Sequence, residues 1–159
     1  LVALSNSDFV FCTIGTTQKK VKGDKEAYRK IDYDITVNAA RFSKMIGCET
    51  FVLVSSVGAN SKSNNFYLKL KGEIEDAVKE TGLHSINIMR PSILLGDRKE
   101  NRLAETISKK IMSAFSFLVP SKYKAIHGRT VAKAMKQAAK ENKQGFFIHE
   151  YKEIKTLDN

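Results

Sequence analysis

The chain has 159 residues, 42% of them hydrophobic and 28% charged. This is enough to bury one substantial core in one domain spanning 1–159, and it excludes a disordered protein. No stretch approaches the ~20 apolar residues that cross a bilayer, and the opening residues carry neither a charged leader nor a cleavage site, so a soluble, cytoplasmic protein without a membrane partner is expected. The net charge of +10 suits an anionic ligand. Even so, Lys19, Lys20, Lys22, Lys25, Lys109, Lys110, Lys133, Lys136 and Lys140 are spread over polar helix faces without interleaved aromatics, which argues against a nucleic-acid groove.

The first element in chain order is "DFVFCTIG", residues 8–15, a nearly continuous apolar run closed by a glycine. It reads as a strand buried on both faces. Asp24 then caps a long helix with Ile31, Ile35, Asn38, Phe42 and Met45 as its inward stripe and Gly47 as its stop. "TFVLVSS" follows as a second buried strand. After the loop "VGANSKSNN", Asn65 caps a helix carrying Phe66, Leu70, Ile74, Ala77 and Val78 on one side and ending at Gly82. Ile86 to Met89 reads as a third strand, stopped by Pro91. A further helix is marked by Leu103, Ile107, Ile111, Ala114 and Phe115, another runs from about Thr130 to Glu141, and "GFFIHEY" closes the chain as a strand. Alternating strands and helices predict an α/β fold, a Rossmann-like parallel sheet in three layers with helices on both faces.

Ligands of such sheets bind at the carboxyl ends of the strands, which is where Ser55 and Ser56 fall. Eleven residues on, Tyr67 and Lys71 stand at i and i+4, on one face of the next helix. Spacing alone is weak, because chance supplies roughly 0.7 such pairs in a chain this rich in lysine. Tyr151 and Lys155 repeat the spacing near the C-terminus, with no strand-end serine before them. The context of the first pair gives it chemical sense. A nearby ammonium favours the ionised form of a phenol, making a poor acid–base group useful near neutral pH, and a serine hydroxyl can donate to an oxygen on which negative charge develops. Lys69 points to another face and reads as surface. Cys12 and Cys48 read as reduced, packed thiols, and His84, His127 and His149 lack the neighbours of a metal site, so no metal is expected.

These residues resemble the short-chain dehydrogenase/reductases, whose signature is a strand-end serine followed by Tyr-x-x-x-Lys. The likeness is to the atypical branch of Tat-interacting oxidoreductase-like proteins, carried by "CTIGTT", "LVSSVGA", "FYLKLKGEIE" and "MRPSILLGDR" in that order. The resemblance implies an NAD(P)-dependent oxidoreductase with Ser56, Tyr67 and Lys71 as catalytic residues, Ser55 standing in reserve for Ser56. It implies cofactor contacts from Ile14, Gly15, Thr16 and Thr17, from Tyr67 and Lys71, and from Pro91, Ser92 and Ile93. NADP(H) is favoured over NAD(H) only by the positive charge. Arg98 reads either as a substrate or phosphate contact or as surface, and the segment from Arg98 to Lys124 as the part that completes the pocket. The implied substrate is a small carbonyl or alcohol. A nicotinamide-dependent regulatory or redox-sensing protein, and protein partners or a homodimer, are left open. The family opens with a glycine-rich turn that holds the pyrophosphate, and no such turn occurs among the nine glycines of the sequence. Two βαβ units, roughly 60 residues, are therefore expected to precede the part given.

Overall fold

A computed structural model describes residues 7–96 and 120–158. Four short apolar segments form one parallel sheet: β1 (Phe9–Cys12), β2 (Thr50–Val54), β3 (Ser85–Met89) and β6 (Gly145–His149), in the order β1-β2-β3-β6. Phe9 pairs with Thr50, Thr50 with Ser85, and Ser85 with Gly145, so all four carboxyl ends lie along one edge. A second sheet joins β4 (Leu94–Leu95) to β5 (Ile126–His127), also in parallel.

The helices are α1 (Lys25–Arg29), continued through a π-helical turn at Lys30–Asp34 into α2 (Ile35–Met45), then α3 (Phe66–Lys79), α4 (Gly128–Glu141) and α5 (Tyr151–Leu157). Side chains alternate across a strand, so β2 sends Phe51 and Leu53 to one face and Val52 to the other. On the first face they pack with Leu70, Ile74 and Val78 of α3 and with Tyr28 and Ala40. On the second, Val52 and Met89 meet Val131, Ala134, Met135, Ala138 and Ala139 of α4 and Ile154 of α5. The α4 positions recur at three- and four-residue steps, and burying that stripe is what holds the helix on the sheet. The fold is thus a parallel sheet flanked by helices on both faces, as the alternation of elements predicts.

Three expectations are corrected. Phe9 and Phe11 are 39% and 47% exposed, so β1 is not buried on both faces. It is the edge strand of the described sheet, and on the α4 side these two rings line an open apolar groove with Met135 and Ala139. The inward stripe of α1 and α2 is not Ile31, Ile35, Asn38, Phe42 and Met45. Tyr28, Asp32, Thr36, Val37, Ala40 and Ser43 are the buried residues, while Ile35 and Met45 are exposed. The π-helical turn inserts an extra residue into the ladder and rotates the face. The last strand stops at His149. The backbone N–H of Glu150 is taken by the Glu153 side chain and the reciprocal bond is also made, a capping box that starts α5 at Tyr151, so Tyr151 and Lys155 lie on a helix. The helix marked by Leu103 to Phe115 lies outside the described residues.

Candidate active site

Asn65 caps α3 by accepting the Leu68 N–H at 3.1 Å, which sets Tyr67 and Lys71 one turn apart on the face turned toward the sheet edge. Val57 to Asn64 folds back over this helix. Its Ala59 N–H donates to the Ser56 carbonyl and its Asn60 N–H to the Leu68 carbonyl, 3.1 and 3.0 Å. The crossing is so close that a Cβ on Gly72 would lie 2.1 Å from the Ser61 nitrogen and 2.3 Å from the Asn60 carbonyl carbon. Only glycine fits there, and the tight crossing ties the loop after Ser56 to the helix that carries Tyr67 and Lys71.

The two serines separate by their partners. The Ser55 hydroxyl is buried and donates to Glu75 at 2.5 Å. Glu75 also takes two hydrogen bonds from Arg90, at 3.1 and 2.5 Å, which closes a network between the ends of β2 and β3 and the middle of α3. Ser55 is thereby committed to structure. Ser56 is half-buried, with a 3.4 Å contact to the neighbouring Val57 carbonyl as its hydrogen bond among the described residues. Of the two hydroxyls, that of Ser56 is the one that no buried side chain holds.

Lys71 is buried, and its ammonium lies 5.9 Å from the centre of the Tyr67 ring. It forms an ion pair at 2.8 Å with Asp32, whose side chain is 1% exposed. The other Asp32 oxygen accepts the Thr16 N–H at 2.7 Å, and the Tyr28 hydroxyl donates to the Thr16 carbonyl at 3.1 Å. Burial pushes the Tyr28 phenol well above its ordinary range, with the Asp32 carboxylate and the Tyr67 phenol adding to the effect, so Tyr28 stays a donor. The Tyr67 hydroxyl, by contrast, has no hydrogen-bond partner among the described residues, and the ring is half-buried.

The loop after β1 therefore lies against Lys71. A Cβ at Gly15 would sit 3.6 Å from an Asp32 carboxylate oxygen and 4.0 Å from the Lys71 nitrogen, so the backbone of Gly15 closely approaches the cation. Ile14 and Gly15 are exposed at the sheet edge, while Thr16 has both its backbone groups turned inward; Thr17 is half-buried. Across the edge, the Val57 N–H donates to the Pro91 carbonyl at 3.0 Å, which joins the β2 and β3 loops. The Ser92 hydroxyl donates to the Lys124 carbonyl at 2.5 Å, and the Ile93 carbonyl accepts the Ile126 N–H. Ser92 thus braces the second sheet. The structure brings Gly15, Thr16 and Lys71 together around Asp32, with the Tyr67 ring centre 5.9 Å from the Lys71 ammonium, and joins the loop after Ser56 to Pro91 through the Val57 N–H. Arg98 lies outside the described residues.

Sequence reasoning missed Asp32, Tyr28, Glu75 and Arg90. The one local signal for Asp32 is its place four residues after Tyr28 in a helix, and it competes with Asp34 two residues on. Both cysteines are buried and unpaired, as expected, and no metal-holding cluster occurs among the described residues.

A parallel sheet flanked by helices on both faces, with the carboxyl ends of its strands along one edge, defines a Rossmann-like fold. Solved structures agree on the fold: MoeE5 in complex with UDP-glucuronic acid and NAD superposes with a TM-score of 0.70 at 13% identity, over 94% of this chain and 58% of that one. The dTDP-4-dehydrorhamnose reductase of Bacillus anthracis str. Ames, in complex with NADP, gives 0.61 at 16% identity, over 90% and 56%. More particularly, the family model described as HIM1 matches residues 1–125, and the chain belongs to that family. Among curated relatives, Protein HTATIP2 of Rattus norvegicus is 35% identical over 133 residues, 84% of this chain and 54% of that protein. Protein FMP52, mitochondrial, of Candida albicans is 43% identical over 107 residues, 64% and 46%. The chain spans about half the length of these relatives.

Proposed function

We propose that the protein is an NAD(P)-dependent oxidoreductase of the short-chain dehydrogenase/reductase type, acting on a carbonyl or alcohol within one nucleotide-binding domain. The observation that carries the reading is the placement of the Lys71 ammonium beside both the Tyr67 ring and the Gly15 backbone, at the strand edge where ligands of parallel sheets bind. Solved neighbours that hold NAD or NADP support a nicotinamide cofactor, and the net charge of +10 favours NADP(H).

The residues present fit the nicotinamide and its ribose. Gly15 leaves the backbone open beside the cation, and Lys71 has three ammonium protons, of which Asp32 takes one. The remaining two are available to ribose hydroxyls. In this reading Ile14, Gly15, Thr16 and Thr17 contact the cofactor from the loop after β1, and Pro91, Ser92 and Ile93 from the loop after β3. When bound, the cofactor supplies or accepts the hydride. The protein handles the proton. Tyr67 exchanges it with the substrate oxygen, the Lys71 charge stabilises the negative charge left on the tyrosine oxygen, and the Ser56 hydroxyl donates to the same substrate oxygen.

A second reading, a nicotinamide-nucleotide sensor without turnover, draws on the same site, because Asp32 already neutralises Lys71. Titrating NADPH and NADH by their fluorescence and following their consumption over a panel of aldehydes and ketones separates the two. Consumption with at least one carbonyl supports the enzyme, tight binding without consumption supports the sensor, and absence of binding of either nucleotide overturns both. A cytoplasmic location stands beside relatives named mitochondrial, and cell fractionation decides between them.

A further inference from the structure

We propose that the substrate of this site is an anionic carbonyl compound or alcohol, whose carboxylate or phosphate is met by the lysines of the loop after β1, with Lys25 at the Tyr67 end of α3. The inference rests on the function proposed above and names its substrate class.

The loop after β1 runs from the site into a cation-rich turn. Between Thr17 and Lys30 stand Lys19, Lys20, Lys22, Lys25, Arg29 and Lys30, against the carboxylates of Asp24 and Glu26. Asp24 is occupied in capping α1, where one oxygen accepts the N–H groups of Glu26 and Ala27 at 2.8 and 3.0 Å. Arg29 pairs with Glu73. Lys19, Lys20, Lys22 and Lys25 are exposed and make no ion pair among the described residues.

This turn is held against the reacting group. The Lys20 and Gly23 N–H groups donate to the Thr17 and Gln18 carbonyls, each at 2.9 Å, which closes it. Val21 packs on the core cluster that Phe66 and Tyr67 also join. The Lys25 ammonium lies 5.5 Å from the centre of the Phe66 ring, in the residue before Tyr67, and the Tyr28 ring meets the same Phe66 edge-on at 5.7 Å. A substrate oxygen that reaches the Tyr67 hydroxyl arrives beside charges of one sign, and such a surface concentrates and orients anions. An anionic group remote from the reacting carbon is bound alike in the ground and transition states, so it acts on KM rather than on kcat. Solvated lysines, and lysines kept for the phosphates of the cofactor, are the competing accounts.

The test takes full-length protein and two aldehydes, 4-formylbenzoate and 4-formylcinnamate, each against its methyl ester, so that the reacting group stays and the charge goes. Reduction of either acid consumes one NADPH or NADH and one proton and gives the hydroxymethyl acid. At low salt the KM of each acid should lie about tenfold below that of its ester at similar kcat, and the difference should vanish at about 1 M salt, where screening acts within about 3 Å. Lys25→Gln, and Lys19→Gln, Lys20→Gln and Lys22→Gln combined, should each lower this preference about threefold, the scale of an exposed ion pair, while nucleotide affinity stays within about twofold of the parent. Lys133→Gln, Lys136→Gln and Lys140→Gln combined remove charge from α4, on the other face of the sheet, and should leave the preference intact. An ester used as well as its acid, a preference that the α4 control lowers as much as the loop variants do, or loop variants that lose nucleotide affinity and keep the preference would each overturn the proposal. Amide spectra of ¹⁵N-labelled protein decide it without turnover: 4-(hydroxymethyl)benzoate should shift the Lys25 and Tyr67 resonances, and equal shifts from its methyl ester would count against an anion site. A parent that reduces no carbonyl sinks the enzyme reading, while these spectra still decide whether the site takes an anion.

Discussion

Replacing Gly72 by alanine should damage both stability and the site, against the usual effect of that change in a helix. In the interior of α3, alanine gains about 1 kcal/mol of intrinsic helix propensity over glycine. Here its Cβ would lie 2.1 Å from the Ser61 nitrogen, 2.3 Å from the Asn60 carbonyl carbon and 2.7 Å from the Asn60 Cα. All three are backbone atoms, so no side chain can swing away. Restoring an ordinary contact requires the loop to move by more than 1 Å, and overpacking of this kind costs about 1–3 kcal/mol and commonly exceeds the propensity gain. The loop begins at Ser56, and its displacement should lower turnover by up to about 10²-fold, the scale of a 1 Å misplacement of a reacting group. Urea unfolding and NADPH-dependent turnover measured on Gly72→Ala check this. A variant as stable and as active as the parent would refute the packing argument and with it the claim that the Ser56 loop is fixed by this crossing.

The two serines should part company on mutation. Ser55→Ala removes a donor to the buried Glu75 and should cost about 1 kcal/mol in urea unfolding with turnover nearly unchanged. Ser56→Ala should lower turnover about 10²-fold while shifting stability by less than about 0.5 kcal/mol. Burial holds the His149 imidazole below its usual value of 6.5, against the pull of Glu153 and Glu141. The Asn87 amide nitrogen donates to Ser85, which leaves its oxygen to accept a hydrogen bond from His149 Nε2 at 2.9 Å. A depressed folded value means that the contribution of neutral His149 is present above about pH 6.5 and is lost as pH falls through the folded value. The stability gap between the parent and His149→Gln should therefore shrink from pH 7 to pH 5, and a gap constant with pH would contradict this.

What the sequence made legible is what local pattern encodes. α3 was readable because Leu70, Ile74 and Val78 recur at helical spacing after a capping Asn65, and the strand-end serines and the Tyr67–Lys71 pair because they lie within seventeen residues of each other. The face of α1 and α2 was not readable. A π-helical turn shifts the phase, and the residues it turns inward are polar: Asp32, Thr36 and Ser43. Asp32 finds its partner thirty-nine residues away, and no local pattern announces a bond between chain segments that distant. Glu75 and Arg90 were hidden for the same reason, since each taken alone reads as a surface charge. The exposure of Phe9 and Phe11 depends on what covers a sheet edge, which an apolar run does not state.

The most direct test of the account is Tyr67→Phe, which removes one hydroxyl and leaves the ring beside Lys71. NADPH affinity should stay within about twofold of the parent, because the ribose is held by Lys71 and the loop after β1, while carbonyl reduction should fall by at least about 10²-fold, the lower range of acid–base catalysis. Turnover equal to the parent's, with the cofactor still bound, would contradict the assignment of Tyr67 as the group that moves the proton.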